Sequence, residues 1–262
     1  MKISILASGS SGNALYIETP KKKFLVDAGL TGKKIKELLN KIKRFPENLD
    51  AIFVTHEHSD HIKGVGILAR RYNLEVYANE KTWKVLEKKL GKLNPLQKQL
   101  FPIGRIKTLG DLDIESFGVS HDAVSPQFYA FHKDGKKFAM LTDTGYVSER
   151  VCDIICQADA YLLESNHDVE MLRMGPYSWH LKQRILSDKG HLSNEESAFT
   201  ATKIIGDKTS KIFLGHRSQE NNLKELAHET MYSTLKERNF DVDKTLQIYD
   251  TYANQPTELF SV

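Results

Sequence analysis

The segment His56-Glu57-His58-Ser59-Asp60-His61 places three imidazoles and the Asp60 carboxylate, in the pattern His-x-His-x-Asp-His, within six residues. Neutral imidazole and carboxylate are ligands of first-row divalent cations. Positions 56 and 58 point the same way on an extended strand end. Asp60 and His61 follow on the next turn, so they can face a second ion beside the first. Two ions need further ligands, and three polar residues stand behind apolar runs elsewhere in the chain. His121 follows Phe117-Gly118-Val119-Ser120, Asp143 follows Phe138-Ala139-Met140-Leu141-Thr142, and His216 follows Ile212-Phe213-Leu214-Gly215. Each sits at the C-terminal end of an expected strand, a place where a rigid sheet holds a site.

The elements that must position these groups are legible from periodicity and turn residues. Strands are expected over Lys2 to Ala7, Ala14 to Glu18 and Phe24 to Val26, separated by the Ser8-Gly9-Ser10-Ser11-Gly12-Asn13 turn and by Pro20-Lys21-Lys22. A helix follows from Gly32 to Arg44, with Ile35, Leu38, Leu39 and Ile42 as its apolar stripe. Ala51-Ile52-Phe53-Val54 reads as a buried strand leading straight into the histidine cluster. A strand over Glu75 to Ala78 and a helix over Glu80 to Leu90 come next. The middle is β-rich, with strands at Ile106 to Leu109, Leu112 to Val119, Phe128 to His132 and Phe138 to Leu141; Lys133-Asp134-Gly135-Lys136 turns between the last two. Helices near Glu149 to Gln157, Trp179 to Ser187, Asn194 to Ile205 and Asn222 to Arg238 alternate with strands at Ala160 to Leu163, Lys211 to Leu214 and Leu246 to Tyr249. Ser193-Asn194-Glu195-Glu196 has the pattern of a capping box. The interleaving, without repeats or an evident linker, predicts one α/β domain over residues 1–262, two sheets sandwiched between helices.

Composition narrows the class. Of 262 residues, 40% are apolar and 27% charged, which suits a folded globular chain able to bury a core without staples. The apolar stretch Ile3 to Ala7 is too short for a signal-peptide core or a membrane span. Cys152 and Cys156 cannot form a disulfide framework and read as reduced, packed thiols. A cytoplasmic protein is therefore expected, with no membrane partner. The net charge of +3 decides little. Lysine runs such as Lys21-Lys22-Lys23 and Lys33-Lys34-Ile35-Lys36 serve either a phosphate backbone or a solvated helix face.

Asp27, the cluster at 56–61, His121, Asp143 and His216, in that order, resemble the five motifs of the metallo-β-lactamase fold. The resemblance implies a four-layer αββα sandwich with a dinuclear centre at one edge. It implies that His56, His58 and His121 bind one metal, Asp60, His61 and His216 the other, and that Asp143 bridges them. Asp27 would orient a histidine of the cluster. Within that superfamily, Ala7 to Asn13, Thr142 to Gly145, Leu163 to Asp168, Gly190 to Asn194 and Leu214 to Asn222 resemble the YycJ/WalJ family of bacterial DNA exonucleases. Arg217 departs from the apolar residue expected there; it either contacts phosphate or sits on the surface.

The resemblance implies a metal-dependent phosphodiesterase hydrolysing DNA from the 5′ end, with DNA-repair proteins as further partners. Zn²⁺ and Mn²⁺ fit the ligand set equally. Two ions about 3.5–4 Å apart would hold a bridging hydroxide, formed near neutral pH because coordination lowers the pKa of water to about 7. Asp60 is the expected catalytic residue, fixing the hydroxide's lone pair on phosphorus. For substrate phosphate, the candidates are Ser8, Ser11 and Asn13 in the Gly/Ser turn, together with His167 and His191. Each has a plain alternative, a tight turn for the first three and a loop brace for the histidines. A small-molecule hydrolase acting on a cyclic phosphodiester, thiolester or lactone is the competing reading. His132, His180 and His228 are expected in packing or surface roles.

Overall fold

The computed structural model describes residues 1–242 and 244–262. The chain divides into two compact units, one formed by residues 1–118, 123–127 and 251–262, the other by residues 119–122 and 128–250.

In the first unit, β1 (Lys2–Ala7), β2 (Ala14–Glu18) and β3 (Lys23–Val26) form an antiparallel ladder. Helix α1 (Gly32–Lys41) then returns the chain to β4 (Ala51–Phe53), which pairs parallel with β3. Two further helices, α2 (Ser59–Ile62) and α3 (Val65–Tyr72), lead to β5 (Glu75–Ala78), and α4 (Glu80–Lys89) to β6 (Lys98–Leu100), both strands again parallel. Phe260–Ser261 pairs antiparallel with the outer edge of β1. A hairpin of β7 (Ile106–Leu109) and β8 (Leu112–Gly118) also belongs to this unit. Strand β4 is apolar throughout because both of its faces are covered. On one side Ile52 and Val76 meet Ile35, Leu38 and Leu39 of α1 and Val65, Leu68 and Ala69 of α3 in a single apolar cluster. The stripe expected for α1 is thus its buried face, and the helix ends at Lys41, three residues before Arg44.

In the second unit, β9 (Gln127–Lys133) and β10 (Lys136–Leu141) form the expected hairpin, with Gly135 at φ 76° in the turn. Helix α5 (Glu149–Ile155) leads to β11 (Ala160–Glu164), parallel to β10. Three helices follow: α6 (Val169–Met174), α7 (Trp179–Ile185) and α8 (Asn194–Ile204). Only α6 lacked a sequence signal; Asp168 caps it by accepting from the Met171 amide. The capping box at Ser193 and Glu196 is formed as expected. Strand β12 (Lys211–Gly215), helix α9 (Lys224–Glu237) and strand β13 (Gln247–Asp250) complete the unit, with β11, β12 and β13 parallel. Cys152 and Cys156 are free, half-buried thiols.

Both units share one topological feature. At β3 and again at β10 a strand pairs antiparallel on one side and parallel on the other. In open α/β sheets the carboxyl ends of the strands beside such a switch are where ligands bind.

Candidate metal centre

In the first unit, Asp27 follows β3 directly and adopts a left-handed backbone at φ 60°. Such a conformation is uncommon for a residue with a side chain and marks a turn held by its surroundings. Its carboxylate is almost fully buried and accepts from the Thr55 amide at 2.9 Å, the Thr55 hydroxyl at 2.8 Å and His61 Nδ1 at 2.7 Å. Burial pushes the Asp27 carboxyl above its usual range, against the pull of His61 and Thr55. The bond from Nδ1–H fixes the His61 tautomer and leaves the lone pair on Nε2. His56 Nε2 and His58 Nδ1 converge to 3.1 Å, and the His56 and His61 rings are 4.0 Å apart between centroids.

The Gly/Ser turn braces this cluster. Asn13 donates from its amide to Asp60 Oδ2 at 3.3 Å, lies 3.1 Å from His61 Nε2, and accepts from the Gly9 amide at 2.9 Å. Its backbone donates to the Asp60 carbonyl at 2.8 Å. The approach is so close that a Cβ on Gly29 would lie 1.6 Å from that carbonyl oxygen. Of the phosphate candidates in the turn, Asn13 is therefore engaged in holding Asp60 and His61. Ser8 is buried, and Ser11 is exposed.

In the second unit, Asp143 and His216 stand just past β10 and β12, both left-handed, at φ 50° and 51°. Between them, the last residue of β11 is Glu164, fully buried. Glu164 Oε1 accepts from His216 Nδ1 and His191 Nδ1, each at 2.8 Å. Oε2 accepts from the Thr144 amide at 2.9 Å and the Leu192 amide at 3.3 Å. Burial works to raise this carboxyl, but the two imidazoles overcome it and hold it well below the usual range. His121 donates from Nδ1 to the Gly190 carbonyl at 3.2 Å. Burial lowers its pKa, against the pull of Asp143, which favours the neutral form that ligates metal. The ligand atoms of Asp143, Glu164, His191 and His216 all lie within 4.8 Å of one another.

The remaining candidates separate. His191 is partly exposed and sits among the donors, its ring 5.2 Å from His121 and 5.0 Å from His216 between centroids. His167 is buried, neither ring nitrogen has a hydrogen-bond partner among the described residues, and burial brings its pKa down to about 4. Arg217 pairs with Asp250 at 2.5 Å, so its charge is spent inside the protein. His180 is exposed, and His132 and His228 are half-buried, away from any donor group described here.

Glu164 and Thr55 are the functional residues that sequence reasoning missed. Glu164 carried a signal: a lone acid closing the apolar strand Ala160-Tyr161-Leu162-Leu163, the pattern that marked Asp143 and His216. Thr55 carried none. The donor set fits divalent metal on its chemistry. It consists of imidazoles and carboxylates, with His61, His216 and His121 each held through Nδ1 by a carboxylate or carbonyl so that Nε2 offers its lone pair.

Comparison with known proteins gives the same picture. A domain family described as the beta-lactamase superfamily domain matches residues 22–216. The exodeoxyribonuclease WalJ of Streptococcus pneumoniae is 60% identical over 263 residues, covering 100% of this chain and 98% of the relative. Exodeoxyribonuclease YycJ of Bacillus anthracis is 51% identical over 259 residues, covering 99% and 98%. Among solved structures, the metallo-β-lactamase fold protein YhfI of Bacillus subtilis aligns with a TM-score of 0.74 at 16% identity, covering 98% of both chains. Zn²⁺-bound PqqB of Methylobacterium extorquens aligns at 0.70 and 14% identity, over 98% of this chain and 100% of the other. The fold is the αββα sandwich expected from the motifs, built from two mixed sheets flanked by helices. The chain belongs to the β-lactamase superfamily domain family, together with the WalJ and YycJ exodeoxyribonucleases.

Proposed function

We propose that this protein is a metal-dependent phosphodiesterase that hydrolyses DNA as an exonuclease, with the 5′-to-3′ polarity the family resemblance implies. The observation that carries the reading is the His/Asp donor set at the strand ends in a chain 60% identical, end to end, to an exodeoxyribonuclease. His56, His58 and His121 are assigned to one ion, Asp60, His61 and His216 to a second, and Asp143 to both. Zn²⁺ and Mn²⁺ are the candidates. When bound, such ions supply Lewis acidity to the phosphodiester and lower the pKa of water to about 7.

The chain's own residues supply the positioning. Asp27 and Glu164 hold the tautomers of His61 and His216, so each presents Nε2 as the donor. Asn13 fixes Asp60, whose partly exposed carboxylate accepts a hydrogen bond from the attacking water and aims its lone pair at phosphorus. His191, oriented through Nδ1 by Glu164, offers its other nitrogen to a substrate oxygen. Work on DNA is assigned to the cytoplasm; no helix among the described residues is long and apolar enough to cross a membrane.

The test is product analysis on end-labelled linear DNA with defined Zn²⁺ or Mn²⁺, wild type beside Asp60→Ala, with a panel of small esters in parallel. Mononucleotides released progressively from one end by the wild type, and not by the variant, are the expected result. Cleavage of esters with DNA untouched would transfer the site to a small-molecule hydrolase.

A further inference from the structure

The first unit carries a cleft of about 560 Å³ that opens beside Asp60. That volume suits a single small ligand and is far too narrow for a duplex. Its rim is cationic: Lys63, Arg70 and Lys89 line it, and Asp60 is the one carboxylate among the lining residues. Among the described residues, none of the three cations has a carboxylate partner. Lys89 donates to the Glu57 carbonyl at 3.0 Å and Arg70 Nη1 to the Leu90 carbonyl at 2.6 Å, which fixes the two heads without neutralising them. Lys63 is exposed. The α3 backbone comes close enough to make this arrangement only because residue 66 is glycine; a Cβ there would lie 2.3 Å from the Leu90 oxygen that anchors Arg70.

The floor has a different chemistry. Ile62 and Leu90 are buried beneath it, and Ile67 is 50% exposed, an aliphatic surface facing a charged rim. The hydroxyl-bearing residues Ser10, Ser11 and Ser59 complete the wall. Cations and hydroxyls around an apolar floor match a phosphate joined to a sugar and base. Among the described residues no carboxylate pairs with these three cations, so the charges await an anion from outside.

We propose that this cleft is a nucleotide subsite for a single DNA strand. The phosphate next to the scissile one rests on Lys63, Arg70 and Lys89, and its nucleoside lies against Ile67. The inference rests on the DNA-hydrolase reading and adds to it that the strand enters unpaired. A duplex end must fray before it is cut.

The experiment measures binding of a short fluorescein-labelled single strand with hydrolysis-resistant phosphorothioate linkages to the metal-loaded protein across a salt series. Each phosphate contact on a single strand contributes about 0.7 to the slope of log K against log salt. Lys63→Gln/Arg70→Gln is expected to weaken binding about tenfold or more and to flatten the slope by up to about 0.7, the share of the one phosphate these cations hold. Lys63→Glu, at an exposed site with no partner for its side chain among the described residues, weakens binding in the same direction. Lys33→Gln/Lys41→Gln, which removes the same charge from the exposed face of α1, leaves both quantities as in wild type. The subsite is overturned if the cleft variants bind with wild-type affinity and slope, or if the α1 variant loses as much. Wild-type cleavage of end-labelled DNA, scored separately, decides the exonuclease reading. Cleavage with normal binding by the cleft variants removes the subsite alone, and weakened binding by those variants with no wild-type cleavage removes the exonuclease alone.

Discussion

Glu164→Gln is the substitution that most directly probes how the site is held. The change preserves size and removes one acceptor. In the native arrangement one oxygen accepts from two imidazoles, His191 and His216, and the other from two backbone amides, Thr144 and Leu192. The backbone donors cannot change their nature, so the glutamine must turn its carbonyl oxygen to them and its NH₂ to the imidazoles. Both imidazoles then have to accept at Nδ1, which moves their protons to Nε2. For His216 that is the atom assigned to the metal. Losing the orienting partner of a ligating histidine typically costs about 10–100-fold in metal affinity. Two charge-assisted hydrogen bonds, each worth about 1.5–3 kcal/mol, become weaker neutral ones, and a net loss of about 2–4 kcal/mol in stability follows. The assay is a chelator-competition titration of metal affinity beside a thermal melt, with hydrolysis measured at limiting and at excess metal. The expected variant is folded, melts lower, loads metal 10–100-fold more weakly, and recovers part of its activity as metal is raised. A variant with wild-type metal affinity would refute the assignment of Glu164 as the group that sets the His216 tautomer.

Two further outcomes follow from the same geometry. Asp143→Ala should reduce bound metal and hydrolysis more than His58→Ala does, because both ions lean on Asp143; equal losses in metal analysis would show that it serves one ion only. Glu18 reports on the fold far from the chemistry. Its buried carboxylate is gripped by Arg44 Nε at 2.5 Å and Nη2 at 2.6 Å, with the Tyr16 hydroxyl at 2.8 Å. Burial works to raise its pKa, but Arg44 and Tyr16 overcome this and hold it below the usual value of 4.5. A depressed folded-state pKa means stability that is complete above the unfolded value and lost as pH falls through the folded one. Glu18→Gln should therefore cost about 1–2 kcal/mol near pH 7, with the gap to wild type closing below pH 4.5 in denaturant melts. A gap that stays constant from pH 7 to about pH 3 would exclude the ion pair as its source.

Much of the site was written in local sequence. The cluster at 56–61 announces metal chemistry because side-chain type and short spacing suffice for that inference. The strand ends before Asp143 and His216 are visible because a buried strand with a parallel partner must be a continuous apolar run, and a polar residue closing one stands out; β8, before His121, instead alternates buried and exposed residues and pairs antiparallel. Secondary structure followed the same rules for most elements; helix α1 stops at Lys41, short of Arg44, and the strands Lys98–Leu100 and Phe260–Ser261 had no counterpart in the expectation. The short helix α6 escaped because Val169 to Met174 is too brief to show a period.

Other features depend on groups distant in sequence meeting in space. Nothing near Thr55 indicates that its amide and hydroxyl both bind Asp27, 28 residues earlier. The turn at residues 8–13 had the composition of a phosphate loop, yet Asn13 is committed to Asp60, 47 residues on. Asp27, Asp143 and His216 share a left-handed backbone that sequence gives no reason to expect of residues with side chains. Sequence alone determined which side chains bring metal and phosphate chemistry, because chemistry belongs to residue type. Tertiary structure decided which nitrogen each histidine offers and which cations stay unneutralised beside Asp60. Tautomer and net field are set by the nearest partner in space, and that partner is chosen by the fold.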